Sequence, residues 1–324
     1  MNILITGGAG YIGSATSYLL IKKKIKPIII DKLIYKSKNV IPKKSIFFKI
    51  NISNLVLVKK IIKKYNIKSV IHFAAYKDVE ESILKPNKYY KNNYIITRKF
   101  INCCKKNGIN NFIFSSTAAV YGNVYKNKKV KENSPLNPVS MYGFTKKKIE
   151  KYLKKLTDKN FKFFSLRYFN VLGADRYLKY GPIGLNINSF SNNLYKSIAA
   201  RSDFKIFGNN HKTKDGSPVR DFIHVDDLAN IHFDALKYLI RNKKNQICNC
   251  GYGEGYSIKE VVEILLKNKN INFNYYFTKK RSGDISYMVA DTRKLNRILK
   301  FKPKYFNIKK MILSELKWKY KLNK

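Results

Sequence analysis

Tyr142 and Lys146 stand four residues apart in the run Tyr142-Gly143-Phe144-Thr145-Lys146, a spacing that puts a phenol and an ammonium on one face of a helix. An unperturbed phenol titrates near 10, too high for a base at neutral pH, and a neighbouring cation favours its ionised form. Such a pair could move a proton to or from a substrate hydroxyl. In a chain with 24 Tyr the spacing also arises by chance. It gains weight from Ser115-Ser116-Thr117, a hydroxyl cluster that closes an apolar run upstream.

A second constellation fills residues 7–13, GGAGYIG. Gly7 permits a tight strand-to-helix turn, Gly10 lets the backbone approach a pyrophosphate, and Gly13 lets helix and strand pack closely. The phosphates would sit against free N–H groups at the helix N-terminus, where the peptide dipoles favour an anion. A glycine-rich turn is weak evidence alone. Here it follows an apolar run, opens a helical pattern and precedes Asp31 at the end of the next apolar run. That carboxylate can accept hydrogen bonds from adenosine ribose hydroxyls and would repel a 2′-phosphate, so NAD is preferred over NADP, with Lys32 softening the discrimination.

These groups require a sheet edge and helices to hold them. Short apolar runs at residues 2–6, 27–31, 46–50, 69–73, 111–115 and 163–167 read as strands, and 11–23, 54–65, 89–107 and 145–157 as helices between or after them. Alternation of this kind specifies an α/β fold with a Rossmann-type doubly wound parallel sheet of at least six strands, residues 1–170. Residues 171–324 are richer in loops, with helices at 226–240 and 257–267, and read as a smaller C-terminal substrate-binding domain, some of whose segments could return to the first.

The bulk charge, +46, would fit a nucleic-acid or membrane partner. Yet only nine of the 66 basic residues are Arg, and the lysines spread from end to end together with Ile, Asn, Tyr and Phe, whose codons are rich in A and T. Genome composition explains that pattern better than a reading surface, so no specific nucleic-acid partner is expected. The cysteines, 103, 104, 248 and 250, match no zinc spacing. No cleavable leader or membrane span stands out, and a cytoplasmic protein is expected. His72 and His224 sit in apolar runs and read as core histidines; with His211 and His232 they form no ligand cluster, so no metal is expected.

The sequence resembles the extended short-chain dehydrogenase/reductases, and within them the UDP-glucose 4-epimerases. The likeness runs nearly the whole length, through ILITGGAGYIGS (3–14), VIHFAAYKDVEES (70–82), YYKNN (89–93), NFIFSSTAAVYG (111–122), YGFTKKKIE (142–150), LRYFN (166–170), IFGN (206–209), DGSPVRDFIHVDDLA (215–229) and RSGD (281–284). The resemblance implies interconversion of UDP-glucose and UDP-galactose through transient oxidation at sugar C4, with tightly held NAD. Tyr142 would act as the base, Lys146 would lower its pKa and bind the nicotinamide ribose, and Thr117 would take the place of the family's catalytic serine. It places Gly7, Gly10, Tyr11, Ile12, Gly13, Asp31, Asn51, Ile52, Phe73, Ala74, Ala75, Lys77, Asn92 and Phe169 at the cofactor, with Thr117, Tyr142 and Lys146 also touching it. It places Lys77, Thr117, Tyr142, Asn170, Asn188, Ile206, Phe207, Arg220, Arg281 and Asp284 at the UDP-sugar. Two of the nine arginines thus fall where a diphosphate needs paired N–H donors. Family members commonly form homodimers through helices corresponding to 89–107 and 145–157.

Several positions depart from the family pattern. Asn51 replaces an Asp that commonly contacts adenine, Thr117 adds a methyl beside the reacting sugar, Phe144 replaces a polar residue, Val171 replaces a common Pro, and the loop 173–184 is short. A 4,6-dehydratase would need an Asp-Glu pair after Thr117, where Ala118 and Ala119 stand. An epimerase for an N-acetylated or uronic UDP-sugar and a catalytically decayed binding protein are the remaining alternatives.

Overall fold

An apolar run without a polar side can be a stable strand only if both of its faces are covered. A computed structural model describes residues 1–34, 38–123, 128–156, 158–184, 189–281 and 284–323. In chain order the first half forms β1 (Ile3–Thr6), α1 (Tyr11–Lys22), β2 (Pro27–Asp31), β3 (Ile46–Lys49), α2 (Leu55–Lys64), β4 (Ser69–His72), α3 (Val79–Leu84), α4 (Pro86–Tyr89), a π-helical stretch (Tyr90–Ile96), α5 (Thr97–Lys106), β5 (Asn111–Thr117), α6 (Met141–Leu156) and β6 (Lys162–Tyr168). The second half forms β7 (Asn170–Leu172), α7 (Phe190–Ala199), β8 (Phe204–Phe207), β9 (Val219–His224), α8 (Val225–Asn242), β10 (Gln246–Cys250), β11 (Gly255–Ser257), α9 (Ile258–Leu266), β12 (Tyr275–Thr278), β13 (Tyr287–Met288), α10 (Arg293–Leu299) and α11 (Ile308–Leu322).

The main sheet is parallel, in the order β10-β6-β5-β4-β1-β2-β3. Its central strands are sealed on both faces: Leu4, Ile28, Ile30 and Val70 pack into one apolar cluster, and Ile3, Ile5, Ile29 and Ile71 into the opposite one. The chain runs outward from β1 through β2 and β3, then crosses back to β4 on the other side of β1. That reversal leaves a crevice beyond the carboxyl ends of β1 and β4, where open α/β sheets bind ligands.

The seventh strand, β10, comes from beyond residue 170, as does α8, which packs on α1 and on the β5–β6 region. Helix α8 is such a returning segment. Its stripe Leu228, Ile231, Ala235 and Leu239 covers the sheet face bearing Ile3 and Ile5. The remaining strands form a small sheet in which β9 pairs with β7, β11 and β13, and a pair β8–β12.

Residues 89–107 are not one regular helix. Seven of them adopt π geometry, and the Asn93 side chain there accepts from the Tyr76 N–H at 2.9 Å and donates to the Tyr76 carbonyl at 2.8 Å. This bond pair fastens the stretch to the loop after β4 and leaves Asn92 facing the crevice. Helix α6 starts at Met141, earlier than residue 145, so Tyr142 belongs to its first turn; residue 157 lies outside the described residues.

A buried ionic network fixes α6 to the sheet. Arg167 on β6 grips Glu150 with two bonds, Nη2 to Oε2 at 2.6 Å and Nε to Oε1 at 3.0 Å, and donates from Nη1 to the Tyr121 hydroxyl at 2.9 Å. Ser116 on β5 donates to Glu150 at 2.5 Å, and Tyr121 donates to Asn249 on β10 at 2.5 Å. Removing one charge from such a pair leaves the other buried and uncompensated, which costs about 3–5 kcal/mol. Glu150→Gln is therefore expected to lower the unfolding free energy in urea by ~3 kcal/mol or more, and Glu150→Met with Arg167→Met to recover most of that loss.

Candidate active site

The glycine turn lies against the loop after β4. Gly7 has φ of +72°, and a Cβ there would meet the backbone N of Ala74 at 2.7 Å; one on Gly13 would meet the Gly7 carbonyl oxygen at 2.2 Å. Only glycines allow the two loops and the start of α1 to approach so closely. The crevice they shape is lined by Gly7, Gly10, Tyr11, Ile12, Gly13, Asp31, Asn51, Ile52, Phe73, Ala74, Ala75, Lys77, Asn92, Tyr142 and Lys146, which brings together most residues assigned above to the cofactor. Asp31 accepts from Ala9 N–H at 3.1 Å and Leu33 N–H at 2.7 Å, one on each oxygen, which leaves lone pairs for ribose hydroxyls. Asn51 uses its oxygen to close its own turn on Ser53 N–H at 3.0 Å. A glycine cradle at a helix start and an acceptor at the end of β2 fit a dinucleotide.

A second, larger cavity of about 590 Å³ adjoins the crevice. Tyr142, Lys77, Tyr168 and Ile183 line both, so the phenol stands where the two spaces meet. Thr117 faces the larger cavity and hydrogen-bonds the phenol, while Ser115 faces the crevice. Lys146, buried beneath them, donates from Nζ to the Ser115 carbonyl at 2.6 Å and lies 4.9 Å from the Phe114 ring centroid and 5.8 Å from that of Tyr142.

Burial governs both ionisations. It pushes Tyr142 up to about 12, offset by the Thr117 hydroxyl bond, and pulls Lys146 down to about 7, offset by the Glu150 carboxylate one turn along α6. In the protein without NAD, burial thus keeps the phenol above its ordinary value. Desolvation disfavours each charge separately, and the lysine is itself only partly protonated near neutral pH.

The larger cavity is lined by Lys77, Thr117, Tyr142, Asn170, Phe207, Arg220, Arg281 and Asp284. Arg220 donates to Asp284 at 2.8 Å, and the Arg281 guanidinium stacks 3.7 Å from the Phe207 ring centroid. Three residues do not line every space named for them above. Ile206 is fully buried in the core beside Leu194 and Phe222, because strand alternation turns it away from Lys205 and Phe207. Phe169 walls the larger cavity near Ala118 and Met288 and does not line the cofactor crevice. Thr117 likewise belongs to the cavity side. Asn188, and Ser282 and Gly283 of the RSGD segment, lie outside the described residues.

Sequence reasoning noted the length of the loop after β7 but not its part in the site. Ile183 of that loop walls both spaces, and α11 holds the loop: Glu315 accepts from Gly173 N–H at 3.0 Å, Ser314 from Ala174 N–H at 3.0 Å, and Trp318 donates to the Pro182 carbonyl at 2.8 Å. Tyr11 closes the other side by donating to the Gly173 carbonyl. A motif search passes over α11 because its buried ion pair, Lys319 to Glu315 at 2.9 Å, reads as an ordinary solvated helix face in a lysine-rich chain. His72 is buried against Phe100 and shares a 2.7 Å bond with Thr6, and His224 accepts from Asp226 N–H at the start of α8.

Comparisons with known proteins agree with this geometry. The description "NAD dependent epimerase/dehydratase family" matches residues 3–251. A UDP-glucose 4-epimerase of Lactobacillus helveticus is 36% identical over 324 residues, covering 98% of this chain and 97% of that protein. The crystal structure of a Bifidobacterium longum UDP-glucose 4-epimerase in complex with NAD+ and UDP superposes with a TM-score of 0.88 at 29% identity, covering 99% of this chain and 98% of that one. The UDP-Glc/GlcNAc 4-epimerase of Campylobacter jejuni gives 0.85 at 36% identity over 99% of both chains. A chain that carries these loops on this sheet, and that matches along nearly its whole length, belongs to the NAD-dependent epimerase/dehydratase family.

Proposed function

We propose that the protein interconverts UDP-glucose and UDP-galactose, acting in galactose metabolism as a cytoplasmic homodimer. One observation carries the reading: Tyr142 lines both the dinucleotide crevice and the larger cavity, so a sugar carbon can stand between base and cofactor. Gly7, Gly10, Gly13 and Asp31 hold NAD, which when bound supplies the hydride acceptor and donor and a positive ring that favours the phenolate. Tyr142 takes the proton of the sugar 4-hydroxyl, and Thr117 holds the same oxygen by hydrogen bond. Lys146 places its ammonium beneath the phenol, where it favours the phenolate, and donates to the nicotinamide ribose. Arg220 and Arg281 anchor the diphosphate by paired N–H donors while the 4-keto hexose turns in the cavity and is reduced on its other face. The proton then returns from Tyr142.

Tyr142→Phe removes the proton acceptor, so a coupled assay on UDP-galactose should show kcat reduced by about 10²–10⁴ with NAD still bound. Activity equal to that of the parent would exclude the mechanism.

Lys146 also predicts a pH dependence of stability. Its folded value is about 7 against 10.5 for the free side chain, so between these values the unfolded chain carries a proton that the folded chain has released. Stability then rises with pH across that interval and is lost as pH falls toward about 7. Denaturation from pH 7 to 9 should show a less positive slope of stability against pH in Lys146→Met than in the parent.

The homodimer reading is supported by an aromatic face on the π-helical stretch and α6, in which Tyr90 and Tyr94 are half-buried and Phe144 is exposed. Lys148 lies 5.1 Å from the Tyr94 ring, 5.3 Å from Phe144 and 5.8 Å from Tyr90. Phe144 itself is exposed, off the catalytic side of α6. Sedimentation velocity should give a dimer, and Phe144→Glu should shift it toward monomer.

A further inference from the structure

We propose that Glu80 is an affinity-setting residue, a carboxylate that competes with the substrate's diphosphate for the Arg281 guanidinium across the mouth of the cavity. The inference rests on the placement of the diphosphate at Arg220 and Arg281 given above.

Two glutamates stand side by side in the first turn of α3, and their roles differ. Glu81 turns toward its own side of the fold, accepting from Lys88 at 2.5 Å and from the Tyr89 hydroxyl at 2.8 Å. Glu80 reaches the other way: its Oε1 lies 3.0 Å from Nη1 of Arg281, and both side chains line the same cavity. Arg281 follows β12, on the small-sheet side, whereas α3 follows β4 of the main sheet. The pair therefore bridges two banks that a nucleotide sugar must pass between.

The neighbouring arginine makes an instructive contrast. Arg220 is held by Asp284, which belongs to its own bank and also accepts from Ile285 N–H at 3.0 Å. Glu80 has a different geometry: it enters from the opposite side and takes up part of the planar donor fork that a phosphate would grip. The stacking of Arg281 on Phe207 keeps the guanidinium at the cavity wall whichever anion it meets.

Magnitude decides between a block and a tuning device. The side chains of Arg281 and Glu80 are 34% and 49% exposed. A pair so accessible to water contributes little and is screened by salt, so a diphosphate carrying more charge displaces it. Once displaced, the carboxylate remains near an anion of like sign and weakens its hold. Glu80 thus lowers affinity for UDP-sugars, reactant and product alike, without touching the reacting carbon.

The test is calorimetric titration of the NAD-loaded protein with UDP, comparing the parent, Glu80→Gln, Glu80→Ala and Arg281→Gln. Both Glu80 variants should bind UDP about two- to fivefold more tightly at low salt, with the gain shrinking at high salt. KM for UDP-galactose should fall by a similar factor, with kcat moving less than KM. If Arg281→Gln weakens UDP binding while the Glu80 variants bind it equally or more weakly than the parent, the competition is refuted and the diphosphate site stands. If Arg281→Gln binds UDP as the parent does, the diphosphate placement fails and the competition with it.

Discussion

One face of α6 has to be buried against β5, and it carries Tyr142, Lys146 and Glu150 at successive turns. Burying three ionisable groups in a row is unfavourable unless their charges are matched. Glu150 is matched by Arg167, whose two-bond grip also draws in Tyr121 and, through it, Asn249. With that carboxylate anchored, its field supports the ammonium of Lys146, and Lys146 in turn sits below the phenol. The reactive end of the helix is held by the unreactive end. Strands β5, β6 and β10 all contribute to the grip, so the sheet's outer half positions the base for a cofactor held by its inner half.

The inner half was the more legible in the sequence. Strands sealed on both faces must be apolar throughout, and Ile3-Leu4-Ile5, Ile28-Ile29-Ile30 and Val70-Ile71 announce themselves. Gly7, Gly10 and Gly13 are legible because close backbone approach admits no other residue. The Tyr142/Lys146 spacing is legible because helix geometry brings fourth neighbours together. What hid were partnerships formed across long stretches of chain. Nothing local in Gln246–Cys250 says that it will extend a sheet begun 240 residues earlier. Glu150 and Arg167 look like surface charges until the fold closes on them. The π geometry at Tyr90–Ile96 coincides with Asn93 binding Tyr76, a contact with no periodic signature. Ile206 and Phe207 could be placed near the substrate by likeness, but only the strand's register shows that one of them faces the core.

The lysine excess and the few buried cations follow different rules. Among the described residues, Lys146 and Lys319 are the buried lysines, and each sits one helical turn from a glutamate, Glu150 and Glu315 respectively. In a chain with 20 acidic residues and 66 basic ones, two carboxylates are committed to interior positions beside lysines. The other described lysines lie at the surface or part-way in, while the interior cations sit where the fold or the chemistry uses them.

The loop between Gly173 and Ile183 shows what this architecture means for the newborn polypeptide. Its two ends are fastened by Glu315, Ser314 and Trp318, so the wall shared by both spaces lacks one of its two supports until residues 308–322 have been made. A ribosome that has already delivered the glycine turn and the entire main sheet has still produced only an open-sided vessel. Completion of the dinucleotide's setting therefore depends on a helix more than 290 residues along the chain from the glycine turn.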